Sequence, residues 1–297
     1  MSHVQKMTLS NGFQMPSLGL GVFRANQTET IRSVETALAN NYRLIDTAAI
    51  YGNEKEVGIA IKSSGINRSD LFITTKLWIT DYGYNSALRA FETSIQKHGL
   101  DYLDLYLLHW PCPKNFGDTI QSWLALERLA NTGMVKSIGV CNFNENHLNQ
   151  LIAASTIRPV INQIELHPYF NQQLTQSANS KLDIITQAWS PIGGAMIYHP
   201  EERTLPHILD HKTVVNIALR KDRTSAQVII RWHLQHGRSV IPKSVHEKRI
   251  VDNLKVFDFS LDLDEMQAID GLNVGMRIGP DPIEYDLSYI KKQSASK

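Results

Sequence analysis

The sequence predicts an α/β protein, an eight-stranded parallel βα barrel of the TIM type, with an N-terminal β-hairpin in front and an extra C-terminal helix behind. Eight short β-type runs are each followed by a helix-period stretch. The runs are apolar at successive positions, as strands buried on both faces must be. A doubly wound sheet, the competing arrangement, would carry GxGxxG after its first strand. Here Gly19-Leu20-Gly21-Val22-Phe23-Arg24 has Arg where the third glycine belongs.

The elements follow in order. Lys6 to Leu9 and Phe13 to Met15 flank Asn11-Gly12, a pair that supplies the positive φ angles of a tight turn, and form a short hairpin that plugs or flanks the barrel. Strand and helix then alternate: 18–23 before TETIRSVETALAN, 42–46 before EKEVGIAIKSS, 71–76 before YNSALRAFETSIQKHG, and 103–109 before TIQSWLALERLANTG. The period continues with 137–143 before ENHLNQLIAAS and 160–165 before QQLTQSANS. Run 183–189 leads into a longer connection holding VVNIALRK and SAQVIIRWHLQHG, and 239–244 precedes HEKRIVDNLKVF. Asp262 to Gly271 reads as an appended helix with a tail after it. No low-complexity linker interrupts this period, so residues 1–297 are expected to form one domain.

The 297 residues are 42% hydrophobic and 20% charged, with 30 Lys+Arg against 29 Asp+Glu. A near-neutral balance without a basic block removes the usual electrostatic footing for nucleic acid, which requires several phosphates to be neutralised at once. Cys112 and Cys141 stand far apart without a CxxC pattern, so neither a disulfide framework nor a zinc site is expected. The N-terminus lacks the apolar stretch of a signal peptide, and no apolar run approaches the roughly 18 residues needed to span a bilayer. A cytoplasmic, monomeric protein acting on a small molecule is expected.

In a βα barrel, chemistry gathers at the C-terminal strand ends, where the loops share one mouth. Asp46, Lys76 and His109 close three successive strand runs. Neighbouring strands lie about 4.8 Å apart, which puts those ends within about 10 Å of one another. Tyr51 follows Asp46 by five residues, close enough to fold back over the mouth. Singly, each residue has an ordinary explanation as cap, solvated strand end or packing. Together they do not, because an Asp and a Lys at the ends of apolar strands are costly to bury unless they pair. A nearby ammonium favours ionisation of a phenol, so Lys76 would tune Tyr51 as a proton donor. Asp46 would hold Lys76, and His109 would hydrogen-bond a substrate oxygen. Such a set protonates an oxygen while another group attacks the carbonyl carbon, and a hydride from a nicotinamide is the natural partner.

The motifs GLGVF, LIDTAAIYGNEKEVG, FITTKLW, DYLDLYLLHWP, GVCNF, NQIELHPY, AWSPIGG and IPKSVHEKRIVDN resemble the aldo-keto reductases. Within that family the chain is most similar to the bacterial branch that includes 2,5-diketo-gluconate and methylglyoxal reductases. The resemblance implies Asp46, Tyr51, Lys76 and His109 as the catalytic four, and NADPH held in extended form without a Rossmann fold. It implies that Asn142 and Gln163, with Cys141 beside them, hold the nicotinamide carboxamide and that Trp189 stacks on the ring. Gly21, Val22 and Asp46 are further cofactor contacts by the same resemblance. Ser190, Pro191, Ile192 and Gly193 would pass along the pyrophosphate. Lys243, Ser244, Val245 and Arg249 would hold the 2′-phosphate, and Asn253 the adenine. Arg and Lys donors suit a dianionic phosphate, which favours NADPH over NADH.

Three positions depart from the family's habit: Cys141 replaces the more common Ser, Trp189 replaces Tyr, and Asp252 replaces Glu. Phe23, Trp78 and Trp110 each follow a strand end and are expected to wall the substrate pocket. Apolar walls with few polar anchors suit small aldehydes and dicarbonyls, with keto-sugars a further class. No metal is expected, since Lys76 would repel a divalent ion and no HxH or HExxH pattern occurs. The competing reading is an NADPH-sensing regulatory protein on the same fold. His3, His98, His147, His199, His207, His211, His233, His236 and His246 read as surface or packing residues, and His167 as a structural residue beside the cofactor floor.

Overall fold

The computed structural model describes residues 4–194 and 205–289. His3, His199 and the end of the tail lie outside them. A hairpin of β1 (Lys6–Thr8) and β2 (Gln14–Pro16) precedes the barrel strands β3 (Leu20–Gly21), β4 (Leu44–Asp46), β5 (Phe72–Leu77), β6 (Leu103–Leu108), β7 (Val135–Cys141), β8 (Ile161–Glu165), β9 (Ile185–Trp189) and β10 (Ser239–Val240). These eight are hydrogen-bonded in sequential order and every pairing is parallel.

The sheet closes on itself through parallel bridges, Leu18 to Val240 and Gly21 to Lys243. Both seam strands are shorter than the runs 18–23 and 239–244 suggest, because the ladder continues there as single bridges. The seam also explains a glycine: a Cβ on Gly21 would sit 2.9 Å from the Ile241 carbonyl oxygen.

Double-sided apolarity of the strands resolves into two packed layers. Leu44, Phe72, Leu105, Leu107, Ile161 and Ile241 fill the barrel interior, where Leu9 and Met15 of the hairpin join them. Ile45, Ile73, Tyr106, Leu108, Ile138, Ile164 and Ala188 point outward and pack under the helices. The hairpin therefore plugs the end of the barrel opposite the strand C-termini. Its turn differs from the expected form: Gly12 alone takes positive φ (+88°), and the Gly12 amide bonds the Leu9 carbonyl, so a longer loop with one left-handed residue replaces a two-residue turn.

The helices are α1 (Gln27–Ala39), α2 (Glu54–Ser64), α3 (Tyr84–His98), α4 (Phe116–Asn131), α5 (Glu145–Ala153), α6 (Gln173–Lys181), α7 (Lys212–Lys221), α8 (Ser225–Gln235), α9 (Glu247–Leu254) and α10 (Leu263–Asp270). Four start with reciprocal capping boxes, Asn26 with Glu29, Asn144 with His147, Thr224 with Gln227, and Asp262 with Glu265. Each box satisfies two otherwise open backbone donors and fixes where a loop over the mouth becomes helix. Residues 271–289 then return across the mouth, anchored where the amides of Val274 and Met276 bond the Tyr169 carbonyl.

Candidate active site

Strand alternation places Asp46 at the end of β4 and Lys76 in β5 inside the barrel, both buried. Lys76 Nζ donates to Asp46 Oδ1 at 2.5 Å and to the Thr47 carbonyl at 2.8 Å. Burial opposes the ammonium charge, yet Asp46 and then Tyr51 outweigh it and hold the Lys76 pKa above the usual lysine value. Burial pushes the Asp46 carboxyl up, while Lys76 and the Gln163 amide pull it down. The direct contact with an ammonium is the arrangement that keeps both groups charged in a dry site.

Tyr51 comes from the short helical turn Ala49–Tyr51 after β4. Its ring centroid lies 5.1 Å from Lys76 Nζ, 4.9 Å from the Phe23 ring and 5.8 Å edge-on from the His109 ring. His109 follows β6, packs edge-on against Trp78 at 5.1 Å, and is buried beside Lys76. Burial first, and the Lys76 charge second, push its pKa well below 6.5. It is therefore a neutral imidazole, able to donate one hydrogen bond without delivering a charge.

These groups form the floor of a cavity of about 930 Å³. Its lining includes Gly21, Val22, Phe23, Trp78, Trp110, Cys141, Asn142, Gln163 and Trp189, and then Ser190, Pro191, Ile192, Lys243, Ser244, Val245, Arg249 and Asn253. The four proposed catalytic residues and nearly all the expected cofactor and substrate residues thus share one space. Two depart in detail: Lys76 lies beneath the floor, and Gly193 turns toward Ile208, where a Cβ would meet that side chain at 2.5 Å, while Gly194 lines the wall. His207, read as surface or packing, also lines the cavity and bonds the Gly194 carbonyl at 2.7 Å.

Residues 17–274 match the aldo/keto reductase family. The chain belongs to that family. It is 50% identical over 284 residues to morphine 6-dehydrogenase of Pseudomonas putida, covering 95% of this chain and 96% of that one. With glyoxal reductase of Bacillus subtilis (strain 168) it shares 45% over 277 residues, 93% and 95% of the two chains. A solved structure of a Gox0644 mutant in complex with NADPH superposes with a TM-score of 0.88 at 40% identity, covering 96% of this chain and all of that one (100%). The protein is thus an oxidoreductase of the carbonyl-reducing class. Among the described residues no helix is long and apolar enough to cross a membrane.

Further contacts that shape this reductase's site go beyond the roles the sequence motifs imply. Asn53, buried two residues after Tyr51, accepts from the Thr47 hydroxyl at 2.6 Å and donates to the Val22 carbonyl at 3.0 Å and Thr30 Oγ1 at 3.2 Å. It binds the loops after β3 and β4 to α1. Gln187 in β9 accepts from Gln163 Nε2 at 2.7 Å and donates to Ser239 at 3.0 Å. Gln163 Nε2 also donates to Asp46 Oδ2 at 2.8 Å. An amide in the apolar run ITQAW was a legible signal of the same kind as Asp46. Trp189 Nε1 donates to Asn142 Oδ1 at 2.8 Å, and Asn142 Nδ2 to the His109 carbonyl at 3.1 Å. A tyrosine at 189 has no ring N–H for that bond, so this replacement also fixes the neighbouring amide. Cys141 is buried at the cavity lining, where desolvation raises its thiol pKa.

Proposed function

We propose that the protein reduces small aldehydes and dicarbonyls to alcohols with NADPH, with Tyr51 as proton donor. The reading rests on one observation, the column of Asp46, Lys76, Tyr51 and His109 at the base of a cavity whose adjoining wall carries Asn142, Gln163 and Trp189.

The residues fit the cofactor by the chemistry of their donors. Gln163 commits Nε2 to Asp46 and Gln187, which leaves Oε1 to accept from a carboxamide N–H. Trp189 offers a flat surface fixed by its bond to Asn142. At the far end, Lys243, Ser244 and Arg249 gather around the start of α9, whose N-cap residue His246 supplies no side-chain cap. Open amides and cationic side chains there suit a 2′-phosphate. NADPH, when bound, supplies the hydride.

The chain's own part is positioning and proton supply. Neutral His109 donates to the carbonyl oxygen and aligns it toward the phenol. Tyr51 gives up its proton to the developing alkoxide. Lys76, held charged by Asp46, stabilises the phenolate that remains, and that charge exists only late in the step, so the stabilisation is specific to the transition state. Phe23, Trp78 and Trp110 supply apolar walls that exclude water.

Steady-state oxidation of NADPH with methylglyoxal and 4-nitrobenzaldehyde tests the proposal. Turnover with both is expected. Tight NADPH binding without turnover across an aldehyde panel would instead favour a cofactor sensor.

A further inference from the structure

Glu165 closes β8 and is fully buried. It lies two residues after Gln163 on the same inward face, and its register partner on β9 is Trp189. Its carboxylate takes no part in the column of Asp46 and Lys76. Instead Oε1 accepts from the Ile278 amide at 2.5 Å and from His167 Nε2 at 3.1 Å, and Oε2 accepts from the Gly279 amide at 2.8 Å. Two consecutive backbone amides of the returning segment thus grip one barrel carboxylate. Gly279 is pressed so closely that a Cβ would meet the Trp189 ring at 2.5 Å and Glu165 Oε2 at 3.0 Å.

The clamped segment is also a wall of the cavity. Ile278, Pro280 and Tyr285 line it, and the Tyr285 ring stacks on Trp110 with centroids 4.1 Å apart and meets Trp78 edge-on at 6.2 Å. Trp78 and Trp110 are the aromatic residues expected to hold the substrate. The segment's other anchors, Tyr169 at its start and an Asp286 to Lys114 ion pair of 3.0 Å at its end, lie on either side of this stretch. Among the described residues, the Glu165 carboxylate is the side chain that bonds the backbone amides where the wall begins, next to Arg277, whose guanidinium lies 4.5 Å from the Phe170 ring centroid.

We propose that Glu165 is a specificity-positioning residue: by holding the Ile278 and Gly279 amides it sets the distance of the Ile278, Pro280 and Tyr285 wall from the reacting carbonyl, and so the size of carbonyl compound the pocket takes. The inference rests on the carbonyl-reductase reading of the same cavity, and wild-type turnover tests that reading separately.

The test compares Glu165→Gln with wild type in the full chain, using NADPH with methylglyoxal as the small substrate and 4-nitrobenzaldehyde as the bulky one. The amide keeps the size of the carboxylate, but its NH₂ cannot accept from Gly279 or Ile278, so one clamp bond is lost. KM for 4-nitrobenzaldehyde should change by about tenfold, the scale of one hydrogen bond to a charged acceptor, while kcat on methylglyoxal and the NADPH Kd stay within about twofold. Hydrogen exchange at Ile278 and Gly279 should accelerate in the variant. If the two substrates' KM values keep their ratio, or move only with a fall in Tm, the proposal is overturned. Should that variant fail to fold, Glu165→Asp, which shortens the arm by one methylene, must shift the same KM ratio or the proposal fails.

Discussion

The Lys76 ammonium lies 5.1 Å from the centre of the Tyr51 ring and is itself held by hydrogen bonds to Asp46 and the Thr47 carbonyl. The cation therefore acts on the phenol from a fixed post. Such an arrangement costs no reorganisation when charge develops on the phenolic oxygen.

Removing that oxygen should remove the chemistry and little else. Tyr51→Phe is expected to lower kcat by about 10²–10⁴-fold, the usual contribution of a positioned acid. Its NADPH Kd, measured by fluorescence titration, should match wild type. Retained turnover would show that another group supplies the proton.

The α9 end of the cavity is expected to read the 2′-phosphate. Loss of a charge-assisted hydrogen bond is worth about 1.5–3 kcal/mol, so Arg249→Ala should weaken NADPH binding roughly 10- to 100-fold. NADH binding should hardly change. An equal loss for both cofactors would contradict a phosphate role.

Asn53 makes three buried bonds, two to the loops that carry Phe23 and Tyr51 and one to Thr30 of α1. Asn53→Ala strands the Thr47 hydroxyl, at about 1–3 kcal/mol for an unsatisfied buried group, while the Val22 carbonyl keeps the Ala25 amide. The Tm should fall and kcat should drop, while the NADPH Kd changes little because the far end of the cavity is untouched. A fall in Tm with normal kcat would assign Asn53 to the scaffold alone.

His147 is the N3 residue of the α5 capping box, its Nδ1 accepting from the Asn144 amide at 3.3 Å. Burial lowers its pKa to about 4. Because the folded value lies below the unfolded one of about 6.5, the unfolded chain takes up the proton first as pH falls. The stability linked to this residue is therefore complete above about pH 6.5 and is lost progressively toward pH 4. Buried His98, His109 and His233 shift in the same direction, each with burial as the first cause. His147→Gln keeps an acceptor at N3 and cannot titrate, so the decline in urea midpoint between pH 6.5 and 4 should be shallower than in wild type. An unchanged slope would rule His147 out as a contributor.

Most of the architecture was legible because the strands announce themselves twice, by length and by apolarity on both faces. Asp46, Lys76 and His109 stood out for a related reason: polar residues ending apolar runs need partners, and the barrel brings those ends together. The seam strands β3 and β10 are shorter than their apolar runs, since single bridges and ladders look alike in sequence. Asn53 is not legible because its partners, the Thr47 and Thr30 hydroxyls and the Val22 carbonyl, come from separate loops and a helix that only the fold brings together, and Glu165 because two of its partners are backbone amides, which leave no trace in side-chain identity. Tyr285 escaped because an aromatic ring in an aperiodic tail carries no signal of what it will stack upon.

The hairpin that seats Leu9 and Met15 among the inward leucines makes the molecule a cup. Asp46 is therefore reached from the side away from the hairpin, along the described lining of the cavity. The returning segment, whose Ile278, Pro280 and Tyr285 belong to that lining, forms part of the cup's rim.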